Sequence, residues 1–340
     1  MDCSVSTASS QAHAYCPSFL ASLSETLETP LDSLSLEHQR DVRIDFFRGA
    51  ALLIILVDHL EAQTHFRVVR SWTPVSLGFS DGAEAFVFLS GLTCGIVYQR
   101  RLRLQGVLFC ETAALKRALQ IYLAYLVTVW ICLIIGVIFQ HSTPLLNKRL
   151  GLEHGSVTCA AFALTMCYHP FALPILPFYA IVLPWMPLMV VLFRRCGAIA
   201  WLISFSLYVA AQLLPSFHLS DVVRGGEWFF NPFAWQFLFV IGLACGVDSN
   251  HVQYSQLVRY ILLCGATVVV VLSLLIRKEC FSEVPFLNSI SDAVISIADN
   301  PSSKTRLHPI RVFHFICVAY CIAQLLPDAS SPLSCYSHGL

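Results

Sequence analysis

Charge is what this sequence has least of. Only 12% of its 340 residues are Asp, Glu, Lys or Arg, against 56% apolar residues, and no ordinary soluble domain is so poor in charge. The formal net charge is zero, which removes the basic footprint of a nucleic-acid binder. No G-x-S-x-G, Walker, G-x-G-x-x-G or H-E-x-x-H pattern occurs, so the common signatures of hydrolases, nucleotide binders and zinc proteases are missing. The 14 cysteines include no C-x-x-C pair. Many of them, such as Cys94, Cys132, Cys245, Cys264 and Cys317, sit inside apolar runs, where cysteine acts as a small hydrophobe. Neither a disulfide framework nor a metal site is expected, and no bound cofactor. Residues 1–39 contain no lysine or arginine, so they lack the basic start of a signal peptide. They are expected to be a disordered polar tail.

What is present is a series of long apolar runs, the mark of a polytopic all-α membrane protein. Spans are expected near 40–61, 81–98, 118–139, 172–193, 197–214, 232–247, 258–276 and 308–326, about eight in all. Basic or polar loops are expected at 100–117 and 278–307, and an interfacial segment at 157–167. Gly91-x-x-x-Gly95 and Gly242-x-x-x-Gly246 suit close helix packing. Asp81 and Glu84 have capping-box spacing, and Asn231 followed by Pro232 has the form of an N-cap and first helical residue.

The tail through Arg48, the second loop and the fourth loop hold ten Lys and Arg residues; the first, third and fifth loops hold five. The positive-inside rule then puts the N-terminus in the cytoplasm. The second half disagrees, because Arg277, Lys278, Lys304, Arg306 and Arg311 fall outside. Either those charges have another job or the span count is off by one.

The first apolar run carries the clearest chemistry. At 100° per residue, Arg48, Leu52, Ile55 and His59 share a narrow stripe, with Asp45 about 60° away. Asp45 and His59 are roughly 21 Å apart along the axis. An ionisable stripe on a membrane helix is expected to face a protein interior or a wet cavity. His59 is the candidate general base, oriented by Asp58, Asp81 or Glu84; an ordinary interfacial histidine fits the spacing equally well. Arg43, Asp45 and Arg48 form the opposite, charged end, where anchoring to the membrane surface is the bland reading. Lys304, Arg311 and His314 form a cationic group suited to an anion. Asn231 and Gln236 are polar groups at a helix entry. His141, His154, His169 and His218 are assigned to loops.

Five blocks carry a family likeness: RDVRIDFFRGAALLIILVDHL, GFSDGAEAFVFLSGLTCGIVY, LPFYAIVLPWMPLMVVLFRR, WFFNPFAWQFLFVIGLACG and SKTRLHPIRVFHFICVAY. In this order, from Arg40 to Leu326, they resemble the OpgC protein family. The resemblance implies a ten-helix acyltransferase related to the type 3 membrane acyltransferases. It also implies transfer of succinyl groups from cytoplasmic succinyl-CoA to osmoregulated periplasmic glucans in the inner membrane of Gram-negative bacteria. By the same resemblance His59 is the catalytic histidine, supported by Asp45 and Arg48; the residue reading adds Asp58 beside it. On the residue reading alone, donor or substrate contacts are expected at Arg43, Asp81, Glu84, Asn231, Gln236, Lys304, Arg311 and His314. Implied partners are membrane lipid, acyl-CoA, the glucan and glucan-synthesis proteins. The chain departs from the family by its polar tail (1–39) and by ending in a polar stretch (328–340) where two further helices are expected. Residues 40–327 are thus read as a C-terminally shortened acyltransferase domain. A transporter or flippase, or a truncated inactive relative, are the alternatives.

Overall fold

The computed structural model describes residues 41–63, 73–139, 148, 150–170, 173–247 and 255–326. Both expected terminal tails, residues 64–72 of the first loop, and His141 lie outside the described residues. The chain divides into two compact units between Arg43 and Ile44; of the first, only Asp41–Arg43 are described.

Among the described residues the structure is all-helical, with one isolated bridge, Ser220–Glu227. The helices are α1 (Val42–Gln63), α2 (Pro74–Leu77), α3 (Gly82–Phe139), α4 (Ser156–Leu164), α5 (Ile175–Val182) and α6 (Met186–Leu213). They continue with α7 (Pro232–Val247), α8 (Gln256–Arg277), α9 (Pro285–Asp299), α10 (Pro301–Thr305) and α11 (Pro309–Leu325). The helix α3, the run Ile175–Leu213 and α8 are long and apolar enough to cross a membrane, while α7 and α11 are shorter apolar helices.

Two of the long runs are pairs of helices joined at one residue. In α3 the break is Gly106, at φ 78° and ψ 175°, a left-handed conformation that glycine adopts without strain. The basic loop expected at 100–117 is therefore helical on both sides of Gly106, because Arg, Leu, Lys and Ala are good helix formers. In α6 the break is Cys196 (φ −147°, ψ 70°), directly after Arg194 and Arg195, where a basic turn was expected. The prolines of the fourth expected helix collect at starts and interruptions: Pro184 lies in the 3-10 turn Leu183–Trp185 and Pro187 in the first turn of α6. Proline is tolerated there because the missing N–H has no helical partner to lose.

The core is built by α3 against α7, with α6 and α5 alongside. A methyl group on Gly91 or Gly95 would collide with the carbonyl oxygens of Phe239 and Leu243; on Gly242 or Gly246 it would collide with those of Phe88 and Leu92. The two expected small-residue repeats therefore face each other in a single interface. Removing four side chains lets the backbones approach and gain dispersion contacts that lipid cannot replace.

The stretch 278–307 is not a polar loop, contrary to expectation. It holds α9 and α10, and α9 buries Ser291 and Ala298 while packing Val294 and Ile295 near Phe79 and Ile276. Its apolar residues are spaced for one helical face and diluted by serines, which hides them from a search for long apolar runs. Near Leu150, Tyr168 donates to Leu150 O at 2.6 Å, and the Tyr125 hydroxyl donates to Tyr168 O. These tie the α3–α5 connection to the second half of α3.

Candidate functional site

The first helix runs against the start of α3 in the opposite direction. A Cβ on Gly82 would sit 2.9 Å from Ala51 O and 3.1 Å from Ile55 Cγ1, while the Arg48 guanidinium lies 5.8 Å from the Phe86 ring centroid. The buried line of α1 is therefore centred on Ala51, whose small side chain permits this approach. Leu52 and His59 are exposed, so the expected interior stripe faces protein only in part. His59 Nδ1 donates to Ile55 O at 2.7 Å. A carbonyl can only accept, so Nδ1 carries the proton of the neutral ring and Nε2 carries the basic lone pair. Asp58 is half-buried, as is Asp45 in the first turn of α1, where helix polarity favours a carboxylate. Arg43 closes locally on Asp41, donating from Nε at 2.9 Å and from Nη2 at 2.8 Å.

Asp81 and Glu84 form the capping box that their spacing predicts. Asp81 Oδ1 accepts from Ala83 N at 2.8 Å, and Glu84 Oε2 accepts from Asp81 N at 2.9 Å. Their remaining oxygens meet cations from the far end of the chain. Arg311 Nε donates to Glu84 Oε1 at 2.7 Å, Arg311 Nη2 lies 3.2 Å from Asp81 Oδ2, and Lys304 Nζ pairs with that same oxygen. Glu84 is completely buried, and Asp81 and Arg311 are nearly so. Lys304 and Arg311 both stand directly against the Asp81 carboxylate. Two carboxylates and two cations thus balance each other in a place where a lone charge would be costly.

His314 sits one helical turn after Arg311. Its Nδ1 is 2.8 Å from Ser80 Oγ and its Nε2 is 2.9 Å from Ser273 Oγ. Ser273 donates its own hydrogen to Val270 O at 2.7 Å, so it accepts from Nε2–H and Ser80 donates to Nδ1. The ring lies where a side chain on Gly78 would be, leaving glycine as the residue that fits. Beside it, Arg277 donates to Gly78 O at 2.9 Å and grips Asp299 with two bonds of 2.7 and 2.6 Å. The structure therefore brings Asp81, Glu84, Lys304, Arg311 and His314 together. It also adds Ser80, Ser273, Arg277 and Asp299, which sequence reasoning did not single out.

Asn231 borders this cluster, its N–H donating to Thr305 O at 3.3 Å beside Lys304, and Gln236 lies further along α7 against α6. Asn231 caps α7, accepting from Phe233 N at 3.1 Å and donating to Phe217 O at 3.2 Å. Gln236 accepts from Ser204 Oγ at 2.7 Å and donates to Ser204 O at 2.8 Å. Among the described residues no group of three or more His, Cys, Asp or Glu could hold a metal ion.

A family model described as OpgC protein matches residues 40–338. The chain belongs to the OpgC family. No curated protein and no solved structure matches it. Family membership implies an acyltransferase-like role in modifying a glucan. In this OpgC chain the pairings missed from sequence are distant ones: Lys304 and Asp81, each singled out separately, are 223 residues apart. The signal that could have found them was the basic excess in the second half, because cations on the wrong side of the charge rule need a local counter-ion.

Proposed function

We propose that this chain transfers a succinyl or similar acyl group from a cytoplasmic acyl-CoA to hydroxyls of a periplasmic glucan. The reading rests on the family match over residues 40–338. In this proposal the protein lies in a bacterial inner membrane with its N-terminus cytoplasmic. It crosses about eight times, by α1, the two halves of α3, the two halves of Ile175–Leu213, α7, α8 and α11.

His59 acts as the base through Nε2, whose lone pair follows from the Nδ1–Ile55 O bond. It takes the proton of a glucan hydroxyl as that oxygen attacks the thioester carbonyl. The C–S bond breaks and the imidazolium returns the proton to the departing thiolate. An acyl-histidine formed first on Nε2 gives the same balance in two steps. Arg43, Asp45 and Arg48 lie toward the donor end of α1, and a pantetheine arm reaching along the helix bridges the roughly 21 Å from Asp45 to His59. Asp58 is the neighbouring carboxylate. Asp81, Glu84, Lys304, Arg311 and His314 hold the start of α3 against α8–α11 and so fix the wall that α1 packs on. Asn231 and Gln236 set α7 behind it.

His59→Ala is expected to lower acylation on the order of 10²–10⁴-fold while the protein still inserts in membranes. Mass spectrometry of periplasmic glucans, from cells with and without the gene and with the variant, measures this directly. Full acylation by the variant sinks the role of His59; unmodified glucan in every strain sinks the proposed reaction.

A further inference from the structure

A second cluster lies in the segments joining α3 to α5 and α6 to α7. Asp221 Oδ2 accepts from the His169 backbone N–H at 3.1 Å and stands 3.5 Å from His169 Nδ1. Its Oδ1 accepts from Arg224 N at 3.0 Å, and Arg224 Nη1 donates to His169 O at 3.2 Å. The side chains of His169 and Asp221 are only 4% and 8% exposed. Trp228 meets the His169 ring edge-on at 4.5 Å between centroids, and Tyr125 lies 6.1 Å away on the same ring. With Nδ1–H directed at Asp221, the lone pair of His169 is on Nε2. That Nε2 and the indole Nε1 of Trp228 are both buried, and neither has a hydrogen-bond partner. An unmet acceptor beside an unmet donor, on two rings in contact, is a rare arrangement in a folded protein.

We propose that His169 Nε2 and Trp228 Nε1 bind one hydroxyl group of the glucan acceptor. The sugar hydroxyl donates its hydrogen to Nε2 and accepts from the indole N–H, and the Trp228 and Tyr125 rings supply apolar walls for the sugar carbons. This rests on the acyltransferase reading for the identity of the sugar but not on its chemistry. The position suits an acceptor. Glu227, next to Trp228, pairs with Arg306 at 3.1 Å, two residues from Lys304, which pairs with Asp81. Gly82, next to Asp81, packs on Ile55, one helical turn before His59. Because His169 is buried and is held by Asp221 and Arg224 at its Nδ1 and backbone, this site requires the turn carrying them to open before a sugar reaches Nε2. That turn is closed by Gly225 N donating to Asp221 O and Asp221 N donating to Gly226 O, both at 3.0 Å, and these are the bonds that opening it would break.

The test is calorimetric titration of the full-length protein in detergent with short linear glucose oligosaccharides, alongside acyl-transfer kinetics. Trp228→Phe removes the indole N–H together with the pyrrole half of the ring, and His169→Asn keeps an N–H toward Asp221 while removing Nε2. Each is expected to weaken oligosaccharide binding about tenfold, the worth of one good hydrogen bond, and to raise KM for glucan without changing KM for the acyl donor. If His169→Asn unfolds, Trp228→Phe carries the test, since its indole N–H has no partner in the fold to lose. Unchanged binding and glucan KM in Trp228→Phe, or no binding by the native protein, overturns the site, and the pair then holds only water. Binding that depends on Trp228 in a protein that transfers no acyl group keeps this site and sinks the proposed reaction instead.

Discussion

Glu84 shows how much one buried side chain is asked to do. One oxygen closes the cap of α3 on Asp81 N, and the other takes the Arg311 guanidinium at 2.7 Å. Removing either partner of a buried pair strands the other charge, at about 3–5 kcal/mol. Glu84→Ala and Arg311→Ala are each expected to fall in that range by denaturant unfolding in detergent, and the double variant to be less damaging than their sum. Additive losses would show that the two side chains do not act as a pair. The local half of this arrangement was legible, because a capping box needs only residues three apart. The cations were not, since nothing in a sequence window links Asp81 to Lys304. His59 is a mixed case: its place in the helix was readable, but its tautomer depends on a carbonyl that only the folded helix supplies.

At the scale of elements, the glycine repeats were read correctly as packing faces, though not as partners. Gly91→Ala is expected to cost about 1–3 kcal/mol, because the added methyl meets the Phe239 carbonyl and a backbone cannot swing aside. Gly265→Ala, in open space within helix α8, is the comparison that separates collision from a general dislike of alanine at helical glycine positions; equal losses in the two would contradict the interlock. The turn at Asp221 carries a pH dependence of known sign. Burial opposes ionisation of Asp221, but His169 and the two backbone N–H groups hold its carboxyl below its ordinary 3.8. A carboxyl depressed by folding stabilises the fold above its unfolded pKa, and that contribution fades as pH falls through the folded one. Protease cutting within 215–231 is therefore expected to rise only below about pH 4, and Asp221→Asn to be cut readily at neutral pH. A variant resistant across the range would rule out Asp221 as the clasp. The helix α9 escaped notice for a physical reason: an amphipathic helix lying on a protein surface needs only one apolar face, whereas the apolar runs that betray a span are apolar all round.

For the whole molecule, the conflict in the charge count has a structural answer. Arg277, Lys304, Arg306 and Arg311 are each paired, with Asp299, Asp81, Glu227 and Glu84. The rule of positive loops concerns cations that stay in solvent near a membrane, and neutralised ones should carry little topological weight. The same contacts put the end of α8 and the start of α11 on the side of the molecule where α3 begins. Labelling of single-cysteine proteins tests the orientation. A cysteine placed by Ser216→Cys is expected to react with an impermeant maleimide in intact cells, and Cys196 only after permeabilisation; the reverse pattern inverts the proposed topology.

The separation between the paired charges also has a consequence during synthesis. Asp81 and Glu84 leave the ribosome some 223–230 residues before the cations that neutralise them. At about 5–20 residues per second that is on the order of 10–50 s, during which the two carboxylates lack the cations they pair with in the folded chain. The chain therefore reaches its final packing only when α11 is delivered. Until then the first helices are made but the lock at the start of α3 is still open.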